Sequence, residues 1–285
     1  MTAASRPADG RTPGRTTGRD WALAMAAPRR RDGFVSRWTT VKGVQLHHRT
    51  SMDRPAGTVA VVFVHGLAVS HRYMMPTARR LAPHYPVHLP DLPGFGLSAE
   101  PGWNLGVGEH ADYLAGWLDA VPLEHVVVLG NSFGCQVAVD LAVRHPERVR
   151  ALVLTSPTTD PAARSASRQL WRGLRDIPHE DPRQAAILLR DVRDAGLGRV
   201  AATFLASLRD QIETKLPQTS VPILVVRGAL DPVVPQPWAE AVAQLAPLGK
   251  LAVIQGAPHN VNYSAADQLT QLVRTFLARS AATGC

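Results

Sequence analysis

Gly130-Asn131-Ser132-Phe133-Gly134 places a serine between two glycines, directly after the apolar run Val126-Val127-Val128-Leu129 and before the amphipathic stretch Gln136 to Ala142. Strand, sharp turn and helix in that order would project the Ser132 hydroxyl out of a sheet, where it can attack an electrophile. The flanking glycines let neighbouring backbones come close. The helix that starts beneath the serine offers its N-terminal dipole to developing negative charge. Without that context the same residues would read as a serine that merely caps a helix.

A serine hydroxyl is a poor nucleophile at neutral pH, so this chemistry needs a base and a third group to hold the base in one tautomer. Of eleven histidines, His259 follows a strand-like stretch, Leu251 to Ile254, and a Gly256-Ala257-Pro258 turn, and precedes the last helical stretch. That is where a loop at the carboxyl edge of a sheet belongs. His47, His48, His84, His88, His125, His145 and His179 sit at strand edges, helix ends or in a helical insertion, where packed or solvated imidazoles are the default. No third ligand lies near His84 and His88, which argues against a metal site there. For the orienting acid, Asp231 follows the run Ile223 to Val226, and Pro232 and Pro235 stiffen its loop; Asp160 is the competing carboxylate. Developing oxyanion charge needs two amide donors, and the candidates are Leu67, after His65-Gly66 at a strand mouth, and Phe133, the residue after the serine. His65 reads as a brace for that loop, and so does Asp91 in Asp91-Leu92-Pro93-Gly94-Phe95-Gly96.

The elements that must position these residues can be read from periodicity. Phe34 to Val41 and Val44 to His48 form an expected hairpin about Lys42-Gly43. Val59 to Val64, Val126 to Leu129, Ala151 to Leu154 and Ile223 to Val226 are continuous apolar runs, the pattern of buried parallel strands. Between and after them lie helical stretches at Tyr73 to Leu81, Gly108 to Ala120, Phe133 to Arg144, Pro237 to Leu245 and Ala265 to Arg279. This alternation predicts an α/β fold with helices on both faces of a parallel sheet. Residues 157–219 interrupt it with helical text alone (Ala166 to Ile177, Pro182 to Ala195, Val200 to Leu216) and are expected to form a helical cap. The expected core is 33–156 with 220–285, and 1–32 an unstructured basic leader.

The formal net charge is +8, but residues 1–31 carry seven Arg against two Asp, so the remainder is nearly balanced. No basic stripe interleaved with aromatics appears in that remainder, which speaks against nucleic acid as a partner. Cys135 and Cys285 offer no disulfide framework, and a reducing, cytoplasmic setting fits. Trp21 to Ala27 is short for a signal segment and is followed by Arg29, Arg30 and Arg31. No run reaches the length of a membrane span, so neither a span nor a membrane partner is expected. Nothing in the chain speaks to its oligomeric state.

Five motifs in order resemble the α/β-hydrolase superfamily over about residues 34–280. They are His65-Gly66, Asp91 through Ser98 (DLPGFGLS), Gly130 through Gly134, Gly228-Ala229-Leu230-Asp231 and Gly256-Ala257-Pro258-His259. The resemblance implies a mostly parallel eight-stranded sheet, a helical cap after strand six and no cofactor; the residues read above supply the Ser132–Asp231–His259 triad, and no metal is expected. It implies no single substrate. Dehalogenase-like members carry aspartate where this chain has Ser132. Iminopeptidase-like members carry a Gly-Gly-Pro-Gly oxyanion loop that His65-Gly66-Leu67-Ala68-Val69 lacks. Asn131 resembles the hydrolases of meta-cleavage products, which break carbon–carbon bonds, but those usually have Trp after the catalytic histidine, where this chain has Asn260. The expectation is therefore a serine hydrolase of carboxylic esters, thioesters or lactones, with carbon–carbon hydrolysis or a weakly hydrolytic ligand receptor as alternatives. The cap offers Trp171, Leu174, Leu188 and Phe204, with Leu170, Ile187 and Leu205, as walls for a small-molecule substrate with an apolar group. The other reading is that they pack the cap onto the core.

Overall fold

A computed structural model of the chain describes residues 30–53, 55 and 57–282. The expectations for residues 1–29 and for Cys285 lie outside the described residues.

Nine strands form one sheet: β1 (Arg30–Arg31), β2 (Phe34–Val41), β3 (Val44–Ser51), β4 (Ala60–Val64), β5 (Val87–Pro90), β6 (Val126–Asn131), β7 (Val149–Thr155), β8 (Ile223–Gly228) and β9 (Gly249–Ile254). Their order is β1-β2-β3-β5-β4-β6-β7-β8-β9. The first three run antiparallel to their neighbours, and the strands from β5 through β9 are mutually parallel. Eight are full strands. The two-residue β1 pairs Arg30 with Val35 and Arg31 with Phe34, so the sheet takes in residues the sequence assigns to the leader. The β2–β3 turn holds Lys42 and Gly43 at φ 48° and 79°, the geometry a tight hairpin needs.

The helices are α1 (His71–Leu81), α2 (Val107–Ala120), α3 (Phe133–Arg144), α4 (Ala166–Asp176), α5 (Gln184–Ala195), α6 (Leu197–Arg209), α7 (Ile212–Lys215), α8 (Gln236–Leu245), α9 (Val261–Ser264) and α10 (Ala266–Ala282). Alternation along the strands divides the core. Val62, Val64, Val126 and Val128 pack with α2, α3 and α8 on one face, and Val61, Phe63, Val127 and Leu129 with α1, α9 and α10 on the other. A central strand buried on both faces must be apolar at successive positions, which is why β4 and β6 read as unbroken Val/Leu runs.

Helices α4 to α7 occupy the interval between β7 and β8, after the sixth full strand. Ala195 of α5, Ile212 of α7 and the following Leu216 are buried in the core, and polar contacts add to this attachment. Asp191 of α5 accepts from Ser70 Oγ at 2.8 Å and pairs with Arg72. Lys215 of α7 pairs with Asp140 of α3, and Gln136 Nε2 donates to the Ser207 carbonyl at 2.9 Å. The Val200 to Leu216 stretch is two helices rather than one, broken at Asp210 and Gln211. Strand β5 has no counterpart among the expected strands. Only four residues long, it is interrupted by His88 and closed by Pro90, so it shows no apolar run, yet all four positions are buried.

Candidate active site

Ser132 stands between the end of β6 and the start of α3 with φ 53° and ψ −119°. A non-glycine residue at positive φ stores strain of about 1–3 kcal/mol, which the surroundings must hold in place. Here the Ser132 N–H donates to the Thr155 carbonyl at 3.0 Å, and Cys135 N–H donates to the Ser132 carbonyl at 2.9 Å. The two glycines are required by close approach. A Cβ on Gly130 would lie 2.5 Å from the Gly134 carbonyl oxygen, and one on Gly134 would lie 2.7 Å from that of His65 and closer still to that of Val64. The apolar start of α3 thus sits directly against the mouth of β4, and Ser132 remains half-buried at the sheet edge.

Asp231 and His259 meet on the same carboxyl edge. The His259 Nδ1–H donates to Asp231 Oδ2 at 2.8 Å, while Asp231 Oδ1 accepts from the Val233 and Val234 amides at 2.8 and 3.0 Å. Burial opposes ionisation of Asp231, but the His259 charge and hydrogen bond, with the Val234 amide, outweigh it and hold the carboxyl below its ordinary range. Burial likewise opposes charge on His259; the charge and hydrogen bond of Asp231, with Asp176 and Glu180 nearby, override it and raise the imidazole to about 9. Asp160, the competing acid, is committed elsewhere. It caps a short turn through Ala162 N–H at 2.9 Å and pairs with Arg172 at 2.7 Å.

Leu67 follows Gly66 at the mouth of β4, and Ala68 beyond it takes φ 62°, so the loop turns sharply across the sheet edge. Phe133 is the first residue of α3, where an N–H has no intrahelical acceptor. His65 and Asp91 act as braces. His65 Nε2 accepts from Leu92 N–H and Nδ1–H donates to the Gly66 carbonyl, both at 2.9 Å. The buried Asp91 carboxylate accepts from His47 Nδ1 at 2.8 Å, His71 Nδ1 at 2.9 Å, and the amides of His71 and Leu97 at 2.8 and 3.0 Å. These donors also make His47, His71 and Asp91 a tight cluster of metal-ligand type, but each Nδ1 is committed to the carboxylate.

The expected pocket residues sit on the helical insertion. Trp171, Leu174 and Leu188 are 57%, 64% and 45% exposed, so they do not pack the insertion onto the core, while Phe204 is half-buried. Ile187 does pack against the core. Three contributors to the site were not legible in sequence. Ser156, at φ 49°, donates from Oγ to the His259 carbonyl at 2.7 Å. Tyr73 accepts from the Gly66 amide at 2.8 Å and donates to Asn131 Oδ1 at 2.6 Å, tying the β4 loop to the residue before Ser132. Asp176 of α4 reaches the His259 amide at 3.3 Å. Their only sequence signal is position just beyond a strand or at a helix end.

A family model described as the alpha/beta hydrolase fold matches residues 59–177, and one described as TAP-like protein matches residues 202–282. The pimeloyl-[acyl-carrier protein] methyl ester esterase of Yersinia enterocolitica is 29% identical over 250 residues, 79% of this chain and 95% of that one. The 2-hydroxy-6-oxo-2,4-heptadienoate hydrolase of Pseudomonas putida is 42% identical over 101 residues, 33% of this chain and 36% of that one. A thermophilic esterase from Thermogutta terrifontis superposes with a TM-score of 0.73 at 23% identity, over 86% of this chain and 98% of that one, a likeness of fold. No described helix is long and apolar enough to cross a membrane.

Proposed function

We propose that this chain, which belongs to the α/β-hydrolase superfamily, is a serine hydrolase that cleaves a carboxylic ester, thioester or lactone through an acyl-enzyme. The observation that carries this reading is the strained Ser132 on the same sheet edge as the hydrogen-bonded pair of His259 and the buried Asp231. In the proposed reaction His259 Nε2 takes the Ser132 proton as Oγ attacks the carbonyl carbon. Asp231 holds Nδ1–H and stabilises the imidazolium. The Leu67 and Phe133 amides, with the N-terminus of α3 behind Phe133, receive the oxyanion. Collapse expels the alcohol, protonated by His259, and water activated by the same imidazole releases the acid. Two relatives, one named as a methyl ester esterase and one as a 2-hydroxy-6-oxo-2,4-heptadienoate hydrolase, support hydrolysis of a carbonyl compound as the shared chemistry.

The helical insertion serves in this reading as a cap, with Trp171, Leu174, Leu188 and Phe204 offered to the apolar part of the substrate. A reducing compartment suits Cys135, a buried free thiol whose Sγ donates to the Gly130 and Thr155 carbonyls at 3.3 Å beneath the elbow. Carbon–carbon hydrolysis is the second reading. Asn131 and the local likeness to the heptadienoate hydrolase favour it. Turnover of p-nitrophenyl esters of two to twelve carbons at pH 8.5, by wild type and S132A, tests the first reading. Activity in wild type that falls about a thousandfold or more in S132A supports it. No ester turnover, with cleavage of a vinylogous 1,5-diketone, would replace it by the second.

A further inference from the structure

The loop that carries His259 is held from outside the Asp231 pair, and the hold comes from the helical insertion. Only Gln169 and Asp176 of α4 are buried; seven residues apart, they share the face turned to the body of the protein. A short turn, Ile177–His179, follows and brings Glu180 alongside. Asp176 Oδ1 then accepts from the His259 N–H at 3.3 Å and Glu180 Oε1 from the Asn260 N–H at 2.6 Å, so two carboxyls take two consecutive amides. Glu180 Oε2 accepts from Gln184 Nε2 at 2.7 Å and from Ser264 Oγ at 3.3 Å, which anchors the pair to the end of α9. Across the chain, Ser156 Oγ donates to the His259 carbonyl at 2.7 Å. The peptide groups on both sides of His259 are therefore fixed, the preceding one by Asp176 of the insertion and the following one by Glu180 of the insertion together with Ser156, just beyond β7.

We propose that Asp176 and Glu180 are positioning residues for the reaction, a carboxyl clamp through which the insertion seats the His259 loop and places negative charge beside its imidazole. This rests on the reading of His259 as the general base. Asp231 fixes the ring through Nδ1, but a ring is only as well placed as the backbone that carries it. Two acids on adjacent amides also couple seating of the insertion to orientation of the base, because the loop loses both acceptors whenever α4 lifts away. Burial raises Asp176 to about 7, with the charges of Glu180 and Asp231 adding to that and His259 opposing it. Near neutral pH Asp176 thus sits between its protonated and ionised forms. The charged groups that face it are His259, Asp231 and Glu180. Arg227 lies behind Asp231, with Nη2 donating to the Asp231 carbonyl at 3.0 Å, and Arg172 of α4 is paired with Asp160.

Two substitutions at one position separate the hold from the charge. D176N keeps an acceptor for the His259 amide and removes the charge, whereas D176A removes both. With the charge gone, the acid limb of kcat/KM in D176N should move to lower pH by about 0.5–1 unit. In D176A the kcat on the alkaline plateau should fall at least about tenfold below that of D176N, with KM changed far less, because misplacing a base by a fraction of an ångström is costly. A readout independent of turnover is the titration of the His259 ring by ¹⁵N NMR, assigned with H259Q, in wild type and D176N. A lowered imidazole pKa in D176N supports the clamp even if esters prove to be the wrong substrates. An unchanged His259 titration in D176N, or equal plateau kcat in D176N and D176A, overturns it.

Discussion

Replacing Asp231 by asparagine should cost nearly all of the rate, and the loop geometry says why. Oδ1 of Asp231 accepts from the Val233 and Val234 amides at 2.8 and 3.0 Å, and Oδ2 accepts from His259 Nδ1–H at 2.8 Å. Asparagine has one oxygen and one NH2 in the same places. If the NH2 faced the amides, the buried Val234 N–H and the part-buried Val233 N–H would lose their acceptor and meet a donor, at about 1–3 kcal/mol for the buried one. The oxygen must therefore stay on the amides, and the NH2 must face His259 Nδ1. That forces Nδ1 to accept and puts the ring proton on Nε2, the atom that takes the Ser132 proton in the proposed reaction. The base is present but in the wrong tautomer. A loss of about 10³–10⁴ in kcat follows, about 4–5.5 kcal/mol of transition-state stabilisation. The fold should tolerate the change, since the amide contacts survive. Steady-state kinetics on a p-nitrophenyl ester, with circular dichroism to confirm folding, measures both. A D231N enzyme within tenfold of wild type would refute the assignment of Asp231 and the tautomer argument together.

With His259 raised to about 9, the neutral base is scarce at pH 7, so kcat/KM should still be climbing above pH 8. The same shift has a stability sign. A folded pKa above the ordinary 6.5 contributes stability that is fully present below about 6.5 and is lost as pH rises through about 9, so the melting-temperature gap between wild type and H259Q should be wide at pH 6 and shrink by pH 9.5. G134A should push α3 off the mouth of β4, because its methyl would lie 2.7 Å from the His65 carbonyl oxygen; thermal melts should show a fall of roughly 6 °C or more, from about 3 kcal/mol of overpacking. Y73F would leave the Gly66 amide and Asn131 Oδ1 without their shared hydroxyl, and urea titration should register a loss of about 1–3 kcal/mol.

The sheet was legible where burial forces a simple pattern. β6 is buried at all six positions, so Val126 to Leu129 reads as a central strand, and the elbow follows from it. β5 is as deeply buried, but Thr50 Oγ1 lies 3.2 Å from His88 Nδ1, and a polar residue with a partner breaks the apolar run that a reader relies on. Asp231 and His259 could be picked out because each follows a strand at a stiffened loop. Asp176 could not, because it lies 83 residues from the amide it holds and its helix reads as an arginine-rich surface amphipath. Contacts made by a folded insertion carry no local signature. The residues proposed as pocket walls were legible as apolar but not in their burial: Trp171 and Leu174 lie on the exposed half of α4, whereas Gln169 and Asp176 are buried.

The central claim is that Ser132 is the nucleophile. Incubation of wild type and S132A with a fluorophosphonate, followed by intact mass and peptide mapping, tests it without requiring the natural substrate. One phosphonyl adduct on Ser132 in wild type, and none in S132A, is the predicted result. An adduct on another residue, or equal labelling of S132A, would contradict the account.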